Sequence, residues 1–462
     1  MTEDRRNIRP RCSILIETMF PVFPALLLSF VAPLADCVPA RWDSSDPTTL
    51  RLLAQSPVNC ILLDRPFWDA AFVRAAQATG LRVLPVLGTV DDTTTALALK
   101  PDGLILMETS EAPVADLPRV RILPRHVLTF AASVEGTTQG LWPGIRVEKD
   151  GAATALPTGA PWIDTNGGFL RFVRSNHSGD SVLWMAMRPP DGQVLRGRHY
   201  LQALADAAFS GGLWVLALDG EFRKGLFAGD ERFQAEWAEL IEGWKFLVQV
   251  QEFCRWRSHS TLSLIQDAGS GALFSGGFAD MLAARHIPAT ITTPGRIAGA
   301  SSGSTQVLLN IDPLALENVK KTLLLDLAKK GTTIINSPLE WNPGRPTDGG
   351  FTFPEDEVKG LADAWREINA MLGRRNFGLR VFGAPSTLSL LKISPDGRKV
   401  AITLLNYSDY PVQNISLHLA GKYTRAAMLT PSGSTTPAIF PTDNGIELEI
   451  ERLADLAVVV VE

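Results

Sequence analysis

Short apolar runs alternate with amphipathic stretches through the first half of the chain, and this rhythm constrains the fold more than any other feature. Val58-Asn59-Cys60-Ile61-Leu62-Leu63 reads as a buried strand, and residues 68–79 have helical spacing that ends at Gly80, a natural C-cap position. Strands follow at 81–87 and 103–107, with a short helix at 93–99 between them. Further on, 169–175, 199–209 and 235–256 read as helices, and 182–187 and 213–218 as strands. Strand and helix in turn require a parallel sheet covered by helices, either a barrel or an open doubly wound sheet. Residues 124–168 interrupt the rhythm with Gly, Pro and Thr and show no helical period, so the expectation over 41–257 is an irregular TIM-like (β/α) barrel.

A second α/β unit occupies 258–380. Its strands are expected at 262–265, 289–292, 307–311 and 332–336 and its helices at 277–286, 314–330 and 355–372, a parallel sheet of flavodoxin-like size. From about residue 381 the period changes to two. Six short strands punctuated by turns such as Pro395-Asp396-Gly397 and Asp443-Asn444-Gly445 make a C-terminal antiparallel β-sandwich over 381–462.

The amino terminus reads differently. An apolar run from Phe20 to Leu34 follows Arg5, Arg6, Arg9 and Arg11 and precedes Val38-Pro39-Ala40. A basic stretch, a short proline-broken apolar stretch and a small-residue site are the parts of a secretory signal peptide, here assigned to 1–40 and implying a secreted or periplasmic protein. An uncleaved anchor is the competing reading. Cleavage there removes Cys12 and Cys37 and leaves Cys60 and Cys254, which either pair or stay reduced; Cys60, inside an apolar run, has the sequence context of a core thiol.

Composition excludes several functions. With 44 Lys+Arg against 49 Asp+Glu the net charge is -5, so no overall positive field attracts nucleic acid or an anionic membrane. The six histidines are scattered without HExxH or HxH spacing, no CxxC occurs, and no GxGxxG, P-loop or GxSxG is present. Neither a metal nor a cofactor is indicated.

The order barrel, flavodoxin-sized α/β domain, sandwich resembles the layout of family-42-type β-galactosidases, which join a TIM barrel, a glutamine-amidotransferase-like domain and a β-sandwich. Locally, Trp142-Pro143-Gly144-Ile145, the stretch from Pro157-Thr158-Gly159 through Trp162-Ile163-Asp164-Thr165-Asn166, and Asn406-Tyr407-Ser408 are similar to glycosidase-like bacterial proteins. The resemblance implies a secreted glycoside-hydrolase-like protein whose partner is an oligo- or polysaccharide. The middle domain departs from working amidotransferases, because no cysteine follows Cys254 to serve as nucleophile.

Glycoside hydrolysis uses two carboxyl groups across the scissile bond, and in a parallel barrel they sit at the C-terminal ends of strands. Asp219 and Glu221, directly after the strand 213–218, are the catalytic candidates, against the alternative that they cap the next helix. Asp64 before Arg65-Pro66 reads as structural, and Glu108 follows the strand 103–107. Asp164 and Asn166 are candidates for sugar hydroxyls or for a helix N-cap. Eleven tryptophans stand against four tyrosines, and Trp142 and Trp162 lie in Gly/Pro-rich sequence suited to stacking on a sugar ring. Arg188, ending the strand before Pro189-Pro190, reaches toward the same cleft or makes a salt bridge. Two further readings compete with the enzyme: a non-catalytic carbohydrate-binding protein on a degenerate barrel, and an envelope or assembly protein in which the α/β domain and sandwich build a homo-oligomer.

Overall fold

The computed structural model describes residues 34–107, 117–125, 127, 130–147, 153–155, 163–177, 180–266, 272–293, 296–297, 306–311, 318–336 and 355–462. Eight parallel strands form the first domain: β1 (Pro39–Arg41), β2 (Cys60–Leu63), β3 (Arg82–Leu87), β4 (Leu104–Met107), β5 (Arg119–Leu123), β6 (Val134–Thr137), β7 (Val182–Met185) and β8 (Leu213–Trp214), paired in that order. A parallel bridge between Ala40 and Leu216, with the Arg41 amide donating to the Leu216 carbonyl at 2.7 Å, brings the last strand to the first, so the sheet is a nearly closed barrel.

Period-two alternation separates two cores. Leu62, Leu84, Ile105, Ile122 and Trp184 fill the inside of the cylinder, whereas Ile61, Leu63, Val83 and Leu183 face the helices outside. Those helices are α1 (Ala70–Ala78), α2 (Thr93–Ala98), α3 (Gly167–Asn176), α4 (Gly197–Ser210), α5 (Gly220–Ala228), α6 (Glu231–Gln249) and α7 (Gln251–Arg255). Asp69 starts α1 by accepting from the Phe72 amide at 2.7 Å, and Gly211 ends α4 in the left-handed region at φ +89°, where a side chain is strained. The helix expected over 235–256 is in fact two, parted at Val250.

The amino-terminal boundary also changes. Leu34 and Cys37 are buried inside the cylinder, Pro39 and Ala40 belong to β1, and Cys37 is disulfide-bonded to Cys60. A cleavage after Ala40 would remove most of the first barrel strand and one half of that bond, so processing at that point is incompatible with this barrel. The expected alternatives for Cys60 are both replaced. Its partner is Cys37, while Cys254 is a free buried thiol whose pKa burial raises to about 11. Closing a loop with a sequence separation of 23 is worth about 3 kcal/mol through the unfolded state. The Cys37→Ser/Cys60→Ser protein is accordingly expected to unfold at lower urea by that amount, and equal midpoints with and without the bond would show that it carries no stability.

The second domain has β9 (Leu262–Ile265), β10 (Thr290–Thr292), β11 (Val307–Asn310) and β12 (Thr333–Asn336), all parallel in the order β10-β9-β11-β12, with α8 (Ala272–Ala284), α9 (Asn318–Lys329) and α10 (Glu355–Leu372). The third is two antiparallel sheets. β13 (Leu379–Phe382), β16 (Val412–Ala420), β19 (Gly445–Leu453) and β18 (Ala438–Thr442) make one. β14 (Thr387–Ile393), β15 (Val400–Asn406), β20 (Leu456–Val461) and β17 (Ala426–Thr430) form the centre of the other, extended at one edge by Arg257–Ser258 from the end of the barrel domain and at the other by Gly433–Thr435.

All three domains meet at the N-terminus of α3. Asp206 of α4 accepts from the Asn166 amide at 3.0 Å, from the Thr165 hydroxyl, and from the Tyr407 hydroxyl of the sandwich at 2.9 Å. Asp280 of α8 accepts from the Gly168 amide at 2.5 Å, capping a helix of another domain, and Arg171 donates to the Ala279 carbonyl at 2.9 Å. Burial raises the pKa of Asp206 and takes that of Asp280 well above the usual range, and it lowers that of Arg171.

Candidate active site at the barrel mouth

Inward-facing positions continue past the strand ends, and four of the five charged residues at the mouth stand there. Arg41 ends β1 with Asp43 two residues on; Asp64 follows β2; Arg188 follows β7 two positions beyond inward-facing Ala186. The fifth, Arg223, comes from the first turns of α5 after β8. Arg41 Nη1 lies 2.5 Å from Asp64 Oδ1. Arg188 touches both acids, with Nη2 on Asp64 Oδ2 and Nη1 3.3 Å from Asp43 Oδ2, and Arg223 also binds Asp43 Oδ2.

One guanidinium spanning two carboxylates fixes their spacing. Its terminal nitrogens are neighbours, so the facing oxygens of the two acids lie no more than about 8 Å apart, inside the upper limit at which a carboxyl pair acts on a glycosidic bond. The acids differ in environment. Asp64 has a side chain 20% exposed at the rim, and that of Asp43 is 8% exposed. Asp43 Oδ1 is buried with no hydrogen-bond partner among the described residues. Asp92, after β3, is paired with Arg65 at 2.5 Å.

The residues singled out in the sequence are placed differently. Asp219 is the N-cap of α5. One oxygen accepts from the Glu221 and Phe222 amides, both at 2.9 Å, and the other from the Tyr200 hydroxyl at 2.6 Å and the Leu195 amide at 3.1 Å. Four donors saturate the carboxylate, so the geometry corrects its assignment from acid/base group to cap. Tyr200 in turn is pushed far above its ordinary pKa by burial and by that carboxylate. Glu221 is exposed in the first turn of α5, where an acid suits the helix dipole.

Trp142 is 5% exposed and packs edge-on against Tyr200 and Trp214 at 5.8 and 5.1 Å, which makes it core and not a stacking platform. Asn166 spends its side chain on both backbone groups of Leu141, at 3.1 and 3.0 Å. Asp164 is fully buried beside it, its carbonyl receiving the Gly144 amide at 2.9 Å. Both belong to the domain junction, so neither faces a sugar at the mouth. Trp162 and Glu108 lie outside the described residues. Arg188 does stand at the mouth, where it is ion-paired.

Asp43 was missed because the apolar run before it read as a leader, hiding β1. The available signal was Ala40-Arg41-Trp42-Asp43, an apolar step followed by alternating charge. Among the described residues no group of three or more His, Cys, Asp or Glu is arranged to hold a metal ion.

Fold and site together define a protein with a nearly closed parallel α/β barrel, a second parallel α/β unit and a C-terminal pair of antiparallel sheets, with a carboxylate and arginine cluster at the barrel mouth. The solved α-L-fucosidase isoenzyme 2 from Paenibacillus thiaminolyticus is similar to it at TM-score 0.57 and 12% identity, over 92% of this chain and 99% of that one. Weaker likenesses are to the glycoside hydrolase domain of PelA from Pseudomonas aeruginosa (TM-score 0.24, 13% identity, 39% of this chain and 93% of that one) and to thiamine phosphate pyrophosphorylase from Pyrococcus furiosus (0.30, 11%, 46% and 99%). Only the fucosidase likeness is strong enough to bear on the fold, and at that identity it speaks to the fold alone. No family model and no curated protein matches the sequence.

Proposed function

We propose that the protein is an exported glycosidase that cleaves a glycosidic bond between Asp43 and Asp64 at the barrel mouth. The single observation that carries this is Arg188, which binds both carboxylates and so holds them close enough to act on one bond. A carboxyl pair at the mouth suits the roles of nucleophile, base and stabiliser of a cationic transition state. The named activity of the fucosidase makes an α-L-fucoside the first substrate to try. Export is supported by the Cys37–Cys60 bond, since disulfides persist in oxidising compartments.

The test is a panel of chromogenic glycosides, with 4-nitrophenyl α-L-fucoside included, on the wild type beside Asp43→Asn and Asp64→Asn. Turnover of at least one glycoside that both variants lose is the expected result. A second reading, carbohydrate binding without catalysis, is favoured by the arginines that engage both acids, since a proton donor is usually kept in an apolar pocket. Saturable binding of a glycan on an array with no turnover in the panel selects that reading.

A further inference from the structure

Away from the barrel, a cleft of about 460 Å³ opens between the second domain and the sandwich. It is lined by Arg285 just after α8, Arg374 and Arg375 just after α10, and Arg380 on β13, and no Asp or Glu among the described residues lines it. Such a concentration of one sign is unusual for a chain whose net charge is -5. Helix C-termini favour cations, which accounts for some positive charge after α8 and α10 but leaves the guanidinium donors unused. Arg380 donates to the Arg375 carbonyl at 2.8 Å, while the side chains of Arg285, Arg374 and Arg375 have no hydrogen-bond or ion-pair partner among the described residues. Desolvation and the like charge of Arg366 both lower the pKa of Arg285, so the protein itself does not neutralise this group; Arg366 is paired with Asp363 at 2.9 Å. On the rim, Phe382 is 48% exposed, its ring set edge-on to His418 at 4.9 Å.

We propose that this cleft binds an acidic saccharide, its carboxylates held by the arginine forks and a sugar face laid against Phe382. Planar guanidinium forks match a carboxylate with two parallel hydrogen bonds, and an aromatic face packs on the apolar side of a sugar ring. The saccharide half of the inference rests on the function proposed above; the anion half rests on the cleft alone. The consequence is a second contact, remote from the mouth, that holds an acidic polymer to the protein.

Titration calorimetry of the full chain at low salt with trigalacturonic acid, maltotriose and sodium phosphate tests this. Trigalacturonic acid is expected to bind, to weaken as salt rises, and to lose at least about tenfold in affinity in the Arg374→Glu/Arg375→Glu protein, while maltotriose gives no heat. Glycoside turnover is expected to be the same in that variant as in the wild type, and the Asp64→Asn protein is expected to bind trigalacturonic acid as the wild type does, so failure at one site is distinguishable from failure at the other. Absence of binding, or binding undiminished by the double reversal in a protein with wild-type melting temperature, overturns the proposal. Equal affinity for phosphate overturns the saccharide assignment in favour of a free anion.

Discussion

The Asp64→Asn protein is expected to turn over its best glycoside about 10³-fold more slowly than the wild type, and Asp43→Asn to lose a similar factor, with KM changed far less than kcat. The size follows from what the substitution removes. Asparagine keeps the shape and one acceptor oxygen but not the charge, so a carboxyl acting as nucleophile, base or electrostatic stabiliser is disabled while sugar contacts remain. Arg41 is 8% exposed and relies on Asp64 at 2.5 Å, so some loss of stability accompanies the change. The Arg188→Gln protein separates the two effects. It keeps both acids but frees their spacing, and an intermediate loss in kcat is the outcome consistent with a positioning role. Full activity in both aspartate variants would remove the catalytic assignment.

The largest structural effect is expected at the three-domain junction. Asp206→Ala leaves the Asn166 amide and the Thr165 and Tyr407 hydroxyls without their acceptor in a buried site, at a cost of about 3 to 5 kcal/mol. Asp280 gives a pH signature in addition. Burial raises its folded pKa well above the usual carboxylate range, against the pull of Arg171. A raised carboxylate binds its proton more tightly in the folded state, so its contribution to stability falls as pH increases from the unfolded value through the folded one. Asp280→Asn keeps an acceptor for the Gly168 amide and removes the titration. The melting temperature of the wild type relative to this variant should therefore fall as pH rises from about 4 upward, and a difference that stays flat or rises contradicts the assignment.

The parts of the fold that follow from local pattern were legible. The run 58–63 contains β2, Gly80 takes the left-handed conformation at φ +86° just past α1, and the change to period two marks the sandwich. What escaped detection lacks a local signal. β6 reads Val-Glu-Gly-Thr with one apolar residue, and β5 alternates arginine with apolar side chains, so neither resembles the continuous runs of a buried parallel strand. Arg257 and Ser258 join a sheet whose other strands come more than a hundred residues later, a pairing no window can show. The site was harder still. An acid after a strand reads the same whether it faces the mouth, as Asp64 does, or turns outward to cap, as Asp219 does; only the donors around it, from Tyr200 and Leu195, decide. Asp164 and Asn166 are polar residues used as buried connectors, and their burial depends on two other domains.

The closure of the barrel also orders its assembly. β1 pairs with β2 on one side and with Leu216 on the other, so the cylinder cannot shut until the chain has emerged as far as its eighth strand. The disulfide needs only the first sixty residues. During vectorial synthesis or export it can form while the sheet is still an open ribbon, fastening β1 to β2 in a stretch otherwise held by three residue pairs. The seam of the barrel is thus prepared from one side before its other side exists.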